Sequence, residues 1–208
     1  NAADQYAAAQ SASDALSLFD RQAKDQVKEL YQGAMKAPGN NVVLDGRGFA
    51  NDAITKLDEQ YAMSSLPPSV SKIIKDIEKN PQAFTLGKSE ELIKILNREY
   101  KASIQNGQPS SSTYAIGLVR DVLNNRQDEA LQGMVVSGNN NAAQWYQAAR
   151  TAYKNHAQVV EKIPILKDTL KGVEPDKLFQ KHILNGNAAE LTETIKELGD
   201  IDPTSIYN

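Results

Sequence analysis

The stretch Trp145-Tyr-Gln-Ala-Ala-Arg-Thr-Ala-Tyr-Lys-Asn-His-Ala-Gln-Val-Val-Glu-Lys-Ile163, halted by Pro164, carries the clearest architectural signal in the chain. It reads as one helical run, because proline cannot continue a helix and pushes the residue before it out of the helical region. The residues after Pro164 are punctuated in the same way. Residues 164–171 form a short turn ending at Gly172. Glu174-Pro175-Asp176 opens a second helix that closes at Asn185-Gly186, and Asn187-Ala-Ala-Glu190 opens a third. Each segment has its own start and stop signal, so the last third of the chain specifies a stack of helices.

On the amino-terminal side of that run, Gly133 to Asn141 is the best linker candidate. It divides residues 1–132, a long helix plus a helical bundle, from a carboxy-terminal helical subdomain over 142–208, whether the two pack as one domain or apart. Ahead of it, Ser110-Ser111-Ser112 caps a helix carrying Tyr114, Leu118, Val119, Val122 and Leu123. Ser89 reads as the cap of a helix over 90–105 with Leu92, Ile93, Leu96 and Tyr100 facing inward. Asn106-Gly107-Gln108-Pro109 joins these two into a helix hairpin. Pro67-Pro68 opens a helix whose Val70, Ile73, Ile74 and Ile77 follow the i, i+3, i+4, i+7 pattern, and Asn80-Pro81 closes it. Phe49 to Met63 is helical, with Phe49, Ala53, Ile54, Leu57 and Tyr61 on one face. Val42-Val43-Leu44 is too short for a strand of its own and is expected as an extended loop pinned to the core. Residues 2–36 form one long helix with a stripe at Ala8, Ala12, Ala15, Phe19, Ala23, Val27, Leu30 and Ala34, spaced about 3.7 residues apart. The first half of that helix offers little to bury and is expected to project, to fray or to lean on another chain.

The expected fold is therefore all-α: an elongated bundle of helix hairpins, about seven to nine helices in all. At 208 residues the chain fits one ordinary domain or two small ones. Hydrophobic residues make up 40% and aromatics 6%, so the core must be built from Leu, Ile, Val and Ala. The net charge of −3, from 23 basic and 26 acidic residues, argues against a duplex-DNA binder, which needs a basic face. Without cysteine there is no disulfide, thiol chemistry or thiolate metal site. No apolar run approaches the ~20 residues of a membrane span. The opening Asn-Ala-Ala-Asp has no signal-peptide pattern and already reads as mid-helix, as in a piece of a longer protein.

Catalytic constellations are not apparent in the spacing. His156 and His182 have no polar partner one helical turn away and are expected as ordinary surface or half-buried residues. Glu90-Glu91 and Asp58-Glu59 are adjacent and point apart on a helix. Glu190, Glu193 and Glu197 share a face but lack the Glu-x-x-His of a di-metal bundle, and read as solvated. Asp45-Gly46-Arg47-Gly48 lacks the P-loop lysine and reads as a turn, and Asp200-Ile-Asp202 lacks a calcium loop's glycine and closing glutamate. No catalytic, cofactor or metal residue is assigned. Lys167, Lys171, Lys177 and Lys181 could contact phosphate weakly. Trp145, Ala149, Ala152 and His156 follow one face of their helix, and Tyr146, Arg150 and Tyr153 the next. This is a core helix or, more sharply, one with a partner-docking surface at Trp145, Tyr146, Arg150 and Tyr153.

Two segments carry a family resemblance. Glu91-Leu-Ile-Lys-Ile-Leu-Asn-Arg-Glu-Tyr100 through Leu118-Val-Arg-Asp-Val-Leu123 is similar to helix hairpins of long phage-encoded proteins. Trp145-Tyr-Gln-Ala-Ala-Arg150, Ile163-Pro-Ile-Leu166, Glu174-Pro-Asp-Lys-Leu-Phe179, Ile183-Leu-Asn-Gly186 and Ala189-Glu-Leu191 resemble a module of tailed-phage and prophage structural proteins, including helix-rich internal virion proteins of the DNA-ejection type. The resemblance implies a virion component without chemistry of its own. Its partners would be other virion subunits or the rest of its own longer chain, with DNA contact as the alternative. Its location would be the virion, or the bacterial cytoplasm before assembly.

Overall fold

The computed structural model describes residues 2–138 and 140–184. Eight α-helices and no strand occur among the described residues, so the fold is all-α: α1 (Ala2–Lys36), α2 (Gly46–Glu59), α3 (Pro68–Lys79), α4 (Leu86–Ala102), α5 (Ser111–Ser137), α6 (Asn141–Lys162), α7 (Pro164–Leu170) and α8 (Pro175–Leu178). The chain divides into two compact units, Gly33–Gln147 on one hand and Asn1–Gln32 with Ala148–Asn208 on the other. The boundaries thus fall inside α1 and α6, not at residues 133–141. Gly133 to Ser137 are the last turns of α5, which stops only where Gly138 takes a left-handed φ of 72°. The Asn185-Gly186 stop, the helix expected from Asn187 and the row Glu190, Glu193, Glu197 lie outside the described residues.

In the unit Gly33–Gln147, each helix is set by its ends. The Asp45 side chain accepts from Gly48 N and caps α2, so Asp45-Gly46-Arg47-Gly48 is a helix start and not a free-standing turn. Thr85, not Ser89, caps α4, because its hydroxyl accepts from Lys88 N. Ser89 is buried inside the helix, donating to the Leu86 carbonyl and accepting from the Gln127 amide. Ser110 and Thr113 form a reciprocal capping box on α5. Val42-Val43-Leu44 is extended and pinned as expected, but it does have a partner: Leu44 N donates to Phe84 O, and Leu86 N to Val42 O, around an isolated bridge between Val43 and Thr85.

One apolar core joins these helices: Phe49, Ala53 and Leu57 of α2, Val70 and Ile74 of α3, Leu92, Ile93 and Leu96 of α4, and Ile116, Val119 and Leu123 of α5. Burying each of the larger side chains contributes roughly 1.5–3 kcal/mol. The Phe49 and Phe84 rings stack at 5.5 Å. Tyr61 and Tyr114 do not join the inward faces that their spacing suggests. Tyr61 lies beyond the end of α2 with φ 53°, and Tyr114 is exposed, its hydroxyl donating to the Gln60 side chain.

In the unit formed by Asn1–Gln32 and Ala148–Asn208, the buried stripe of α1 runs Ala9, Ala12, Leu16, Phe19, Ala23, Val27, with Leu30 half-buried. That register replaces Ala8 and Ala15 by Ala9 and Leu16 and brings the period to about 3.6, the value of a straight helix. The amino-terminal half of α1 therefore packs: Leu16 and Phe19 share a core with Ile165 and Leu166 of α7 and Leu178 of α8. Ala23 and Val27 meet Ala152 of α6. Residues 164–170 form a two-turn helix instead of a turn, since Pro164 is tolerated in a first turn and Ile165 and Leu166 are buried. A π-helical turn, Phe179–Leu184, comes after α8.

Candidate functional site

The aromatic helix is α6, and its expected partner surface divides by burial. Tyr146 is buried, and its hydroxyl donates to Asn40 Oδ1 at 2.6 Å. Asn40 in turn donates to the carbonyls of Ala34 and Ala37, closing the end of α1. Burial, with the negative charges of Glu90 and Glu91, pushes the Tyr146 phenol up to about 12. Arg150 is also buried. Neither side chain can meet a partner at the surface. Trp145 and Tyr153 remain, 44% and 62% exposed.

Both histidines have carboxylate partners that spacing along the chain does not reveal. His156 is buried, with Nε2 2.6 Å from Asp20 Oδ1, and Asp20 is itself buried and paired with Lys24 at 2.9 Å. The His156 ring lies tilted against Phe19 at 6.2 Å. His156 Nδ1 is buried and without a hydrogen-bond partner, so Nε2–H donating to Asp20 is the tautomer that avoids burying an unmet N–H. His182 Nε2 lies 2.7 Å from Asp168 Oδ2, which also receives Lys181 Nζ at 2.7 Å. Hydrogen bonds from Lys181 and then His182 hold the Asp168 carboxyl below the ordinary carboxylate range. A His–Asp pair serves acid–base chemistry only where a substrate can reach the ring. His156 is closed to solvent, and the Asp168 group is a clasp between α7 and the π-helical turn.

Of the four lysines expected to touch phosphate, two are engaged by carboxylates: Lys167 with Glu161 at 2.9 Å and Lys181 with Asp168. Lys171 and Lys177 are exposed. Among the described residues, no three His, Cys, Asp or Glu side chains are placed to hold a metal ion, and no helix is long and apolar enough to cross a membrane.

The open surface that sequence reasoning missed lies in the unit Gly33–Gln147, between α2 and α5. There a groove of about 570 Å³ is lined by Asp52, Lys56, Glu59, Asp121, Arg126 and Glu129, with Leu118 and Val122 beneath. Arg126 reaches Asp45 at 3.2 Å and Asp52 at 2.6 Å. Glu59 of the lining is followed in the chain by Gln60, whose side chain accepts from the Tyr114 hydroxyl, and by Tyr61; Tyr61 is 94% exposed and Tyr114 54%. The only signal for it in the sequence is the i, i+4, i+11, i+15 row Tyr114, Leu118, Asn125, Glu129, which mixes apolar and acidic residues and resembles any solvated face.

Comparisons with family models, with curated proteins and with solved structures return no match for this chain.

Proposed function

We propose that the chain is a structural, protein-docking domain of a tailed-phage or prophage virion protein, with no catalysis of its own. The family resemblance of α4 to α8 supports the virion setting. The observation that carries the docking reading is the contrast between closed polar groups and open aromatic ones. Each histidine is tied to a carboxylate, whereas Trp145, Tyr153, Tyr61 and Tyr114 present large rings to solvent. Exposed aromatic residues are the side chains that anchor protein interfaces, because they bury much area at small entropic cost. The partners in this reading are other virion subunits or the remainder of a longer chain, met in the virion or in the bacterial cytoplasm before assembly.

The test is incorporation: the parent protein, tagged and expressed during particle assembly, sediments with particles and appears as an oligomer or complex by light scattering. A parent that stays monomeric and never enters particles overturns the reading. DNA contact through Lys167, Lys171, Lys177 and Lys181 is the alternative, and it keeps Lys171 and Lys177 as exposed cations. It requires salt-dependent DNA binding that is lost when these lysines are replaced.

A further inference from the structure

We propose that the groove between α2 and α5, with Tyr61 and Tyr114 at one end, docks a cationic, arginine-bearing segment of a partner protein. This rests on the docking-domain reading and gives the partner its chemistry. The lining sets four carboxylates, Asp52, Glu59, Asp121 and Glu129, against two cations, Lys56 and Arg126. Arg126 is already held by Asp45 and Asp52, so of the described lining residues Lys56 is the other cation set against Glu59, Asp121 and Glu129. The half-buried Leu118 and Val122 give the floor an apolar strip. The groove thus asks for positive charge on an apolar stem, which a snorkelling arginine or lysine supplies.

The tyrosines select between these and other ligands. Glu59 lines the groove two residues before Tyr61, and Tyr114 lies one turn before Leu118, with its hydroxyl on Gln60. Arginine pairs with carboxylates through a planar fork and also stacks on aromatic faces, whereas lysine does the second less well. The same unit makes such a contact internally, with the Arg120 guanidinium 4.0 Å over the Tyr100 ring. A nucleic acid would find the aromatic surface but meet Asp52, Glu59, Asp121 and Glu129 with its phosphates, so its charge is wrong.

Tyr61 also occupies a costly position. Ala62 N donates to Leu57 O and Tyr61 N to Asp58 O, the double closure of a helix end in which the left-handed residue is usually glycine. A nearly fully exposed ring in that position does nothing for the fold, and a partner gives it a use.

The test uses the full chain and fluorescence anisotropy with a short labelled peptide of alternating arginine and leucine. The peptide binds, and its counterpart with glutamate in place of arginine does not. Glu59→Gln, Asp121→Asn and Glu129→Gln together weaken binding about tenfold or more. Tyr61→Gly, which keeps the helix end closed, weakens it about fivefold. Asp76→Asn with Glu78→Gln on α3 changes nothing. No peptide binding, groove variants that bind like the wild type, or an equal loss in the α3 variant overturns the proposal. So does a duplex oligonucleotide, or a second copy of the chain detected by light scattering, that needs Tyr61 instead. Absent peptide binding with intact particle incorporation defeats the groove alone. Retained peptide binding without incorporation defeats the virion setting alone.

Discussion

Gly33 of α1 lies directly against the indole of Trp145: a Cβ built on Gly33 would stand 2.6 Å from both Cε3 and Cζ3 of the ring. The contact belongs to a knot that closes one helix and starts another. Asn40 caps the carbonyls at the end of α1, Asn140 accepts from Ala143 N to start α6 and donates to Gly39 O, and Ala142 N donates to Pro38 O.

Gly33→Ala therefore moves the indole. Alanine improves helix propensity by about 1 kcal/mol, but the 2.6 Å contact forces the ring outward and exposes what it covers, for a net loss of about 1 kcal/mol. Trp145 is the sole tryptophan, so its emission reports this contact alone. A red shift is expected; unchanged emission would mean that the ring does not rest on Gly33.

The Asp20–His156 pair is a polar layer between the apolar groups Leu16–Phe19 and Ala23–Val27 of α1. Asp20→Ala strips the carboxylate from His156 Nε2 and leaves the ring buried, at a cost of about 2 kcal/mol. His156→Ala leaves Asp20 its contact with Lys24. A double-mutant cycle in urea denaturation should give a coupling of about 1 kcal/mol or more. Additive losses would show that the two side chains do not depend on each other.

Helix ends are readable in this chain because single residues make them. Pro67-Pro68 and Ser110 act where they stand, and their helices begin within a residue of them; Pro164 halts α6 two residues after its last, Lys162, although the helix that Pro164 itself opens is not legible. The register of α1 is not readable. Ala7, Ala8 and Ala9 are consecutive, so small apolar residues present every phase equally, and only the burial of Leu16 decides it. Thr85 and not Ser89 caps α4 because the extended Val42–Leu44 segment, bonded to Phe84 and Leu86, fixes where the chain turns. The site-like features are hidden by distance. Asp20 and His156 are 136 residues apart, and the acidic groove takes its carboxylates from two helices. Neither pattern exists until the chain folds.

Alkali should destabilise the fold through Tyr146. Its phenol ionises near 10 in the unfolded chain and near 12 when folded, so the folded state favours the neutral form. The stabilisation is complete below pH 10 and drains away as pH rises towards 12. Tyr146→Phe loses the bond to Asn40, about 1 kcal/mol at neutral pH, and removes this alkaline loss. Urea midpoints of both proteins at about pH 8 and pH 11 check it. A parallel fall in the two would assign the alkaline loss to other groups.

Acid acts on the other unit. Lys181 and His182 stabilise the ionised Asp168, so its carboxyl titrates lower in the folded protein than in the unfolded chain. The stability this contributes is present at neutral pH and is lost as pH falls through the ordinary carboxylate range and below. Asp168→Asn should destabilise at neutral pH, and its deficit should shrink steadily as the solution is acidified. A deficit constant with pH would remove the clasp from the account.

Tyr61→Gly should stabilise the protein. A bulky side chain in the left-handed region costs roughly 1–2 kcal/mol, and part of that returns as the entropy glycine loses on folding, leaving a gain of about 1 kcal/mol. The ring is 94% exposed, so its removal sacrifices no core contact. The backbone closure from Ala62 N to Leu57 O and from Tyr61 N to Asp58 O uses no side-chain atom and survives the change. A higher urea midpoint with an unchanged slope is the expected result. Tyr61→Ala separates the causes, because alanine keeps the strained φ of 53° and removes only the ring, and it should leave stability close to that of the wild type. If glycine fails to stabilise, or alanine destabilises as much as a core truncation, the ring is held by contacts within the chain and is not spare for a partner.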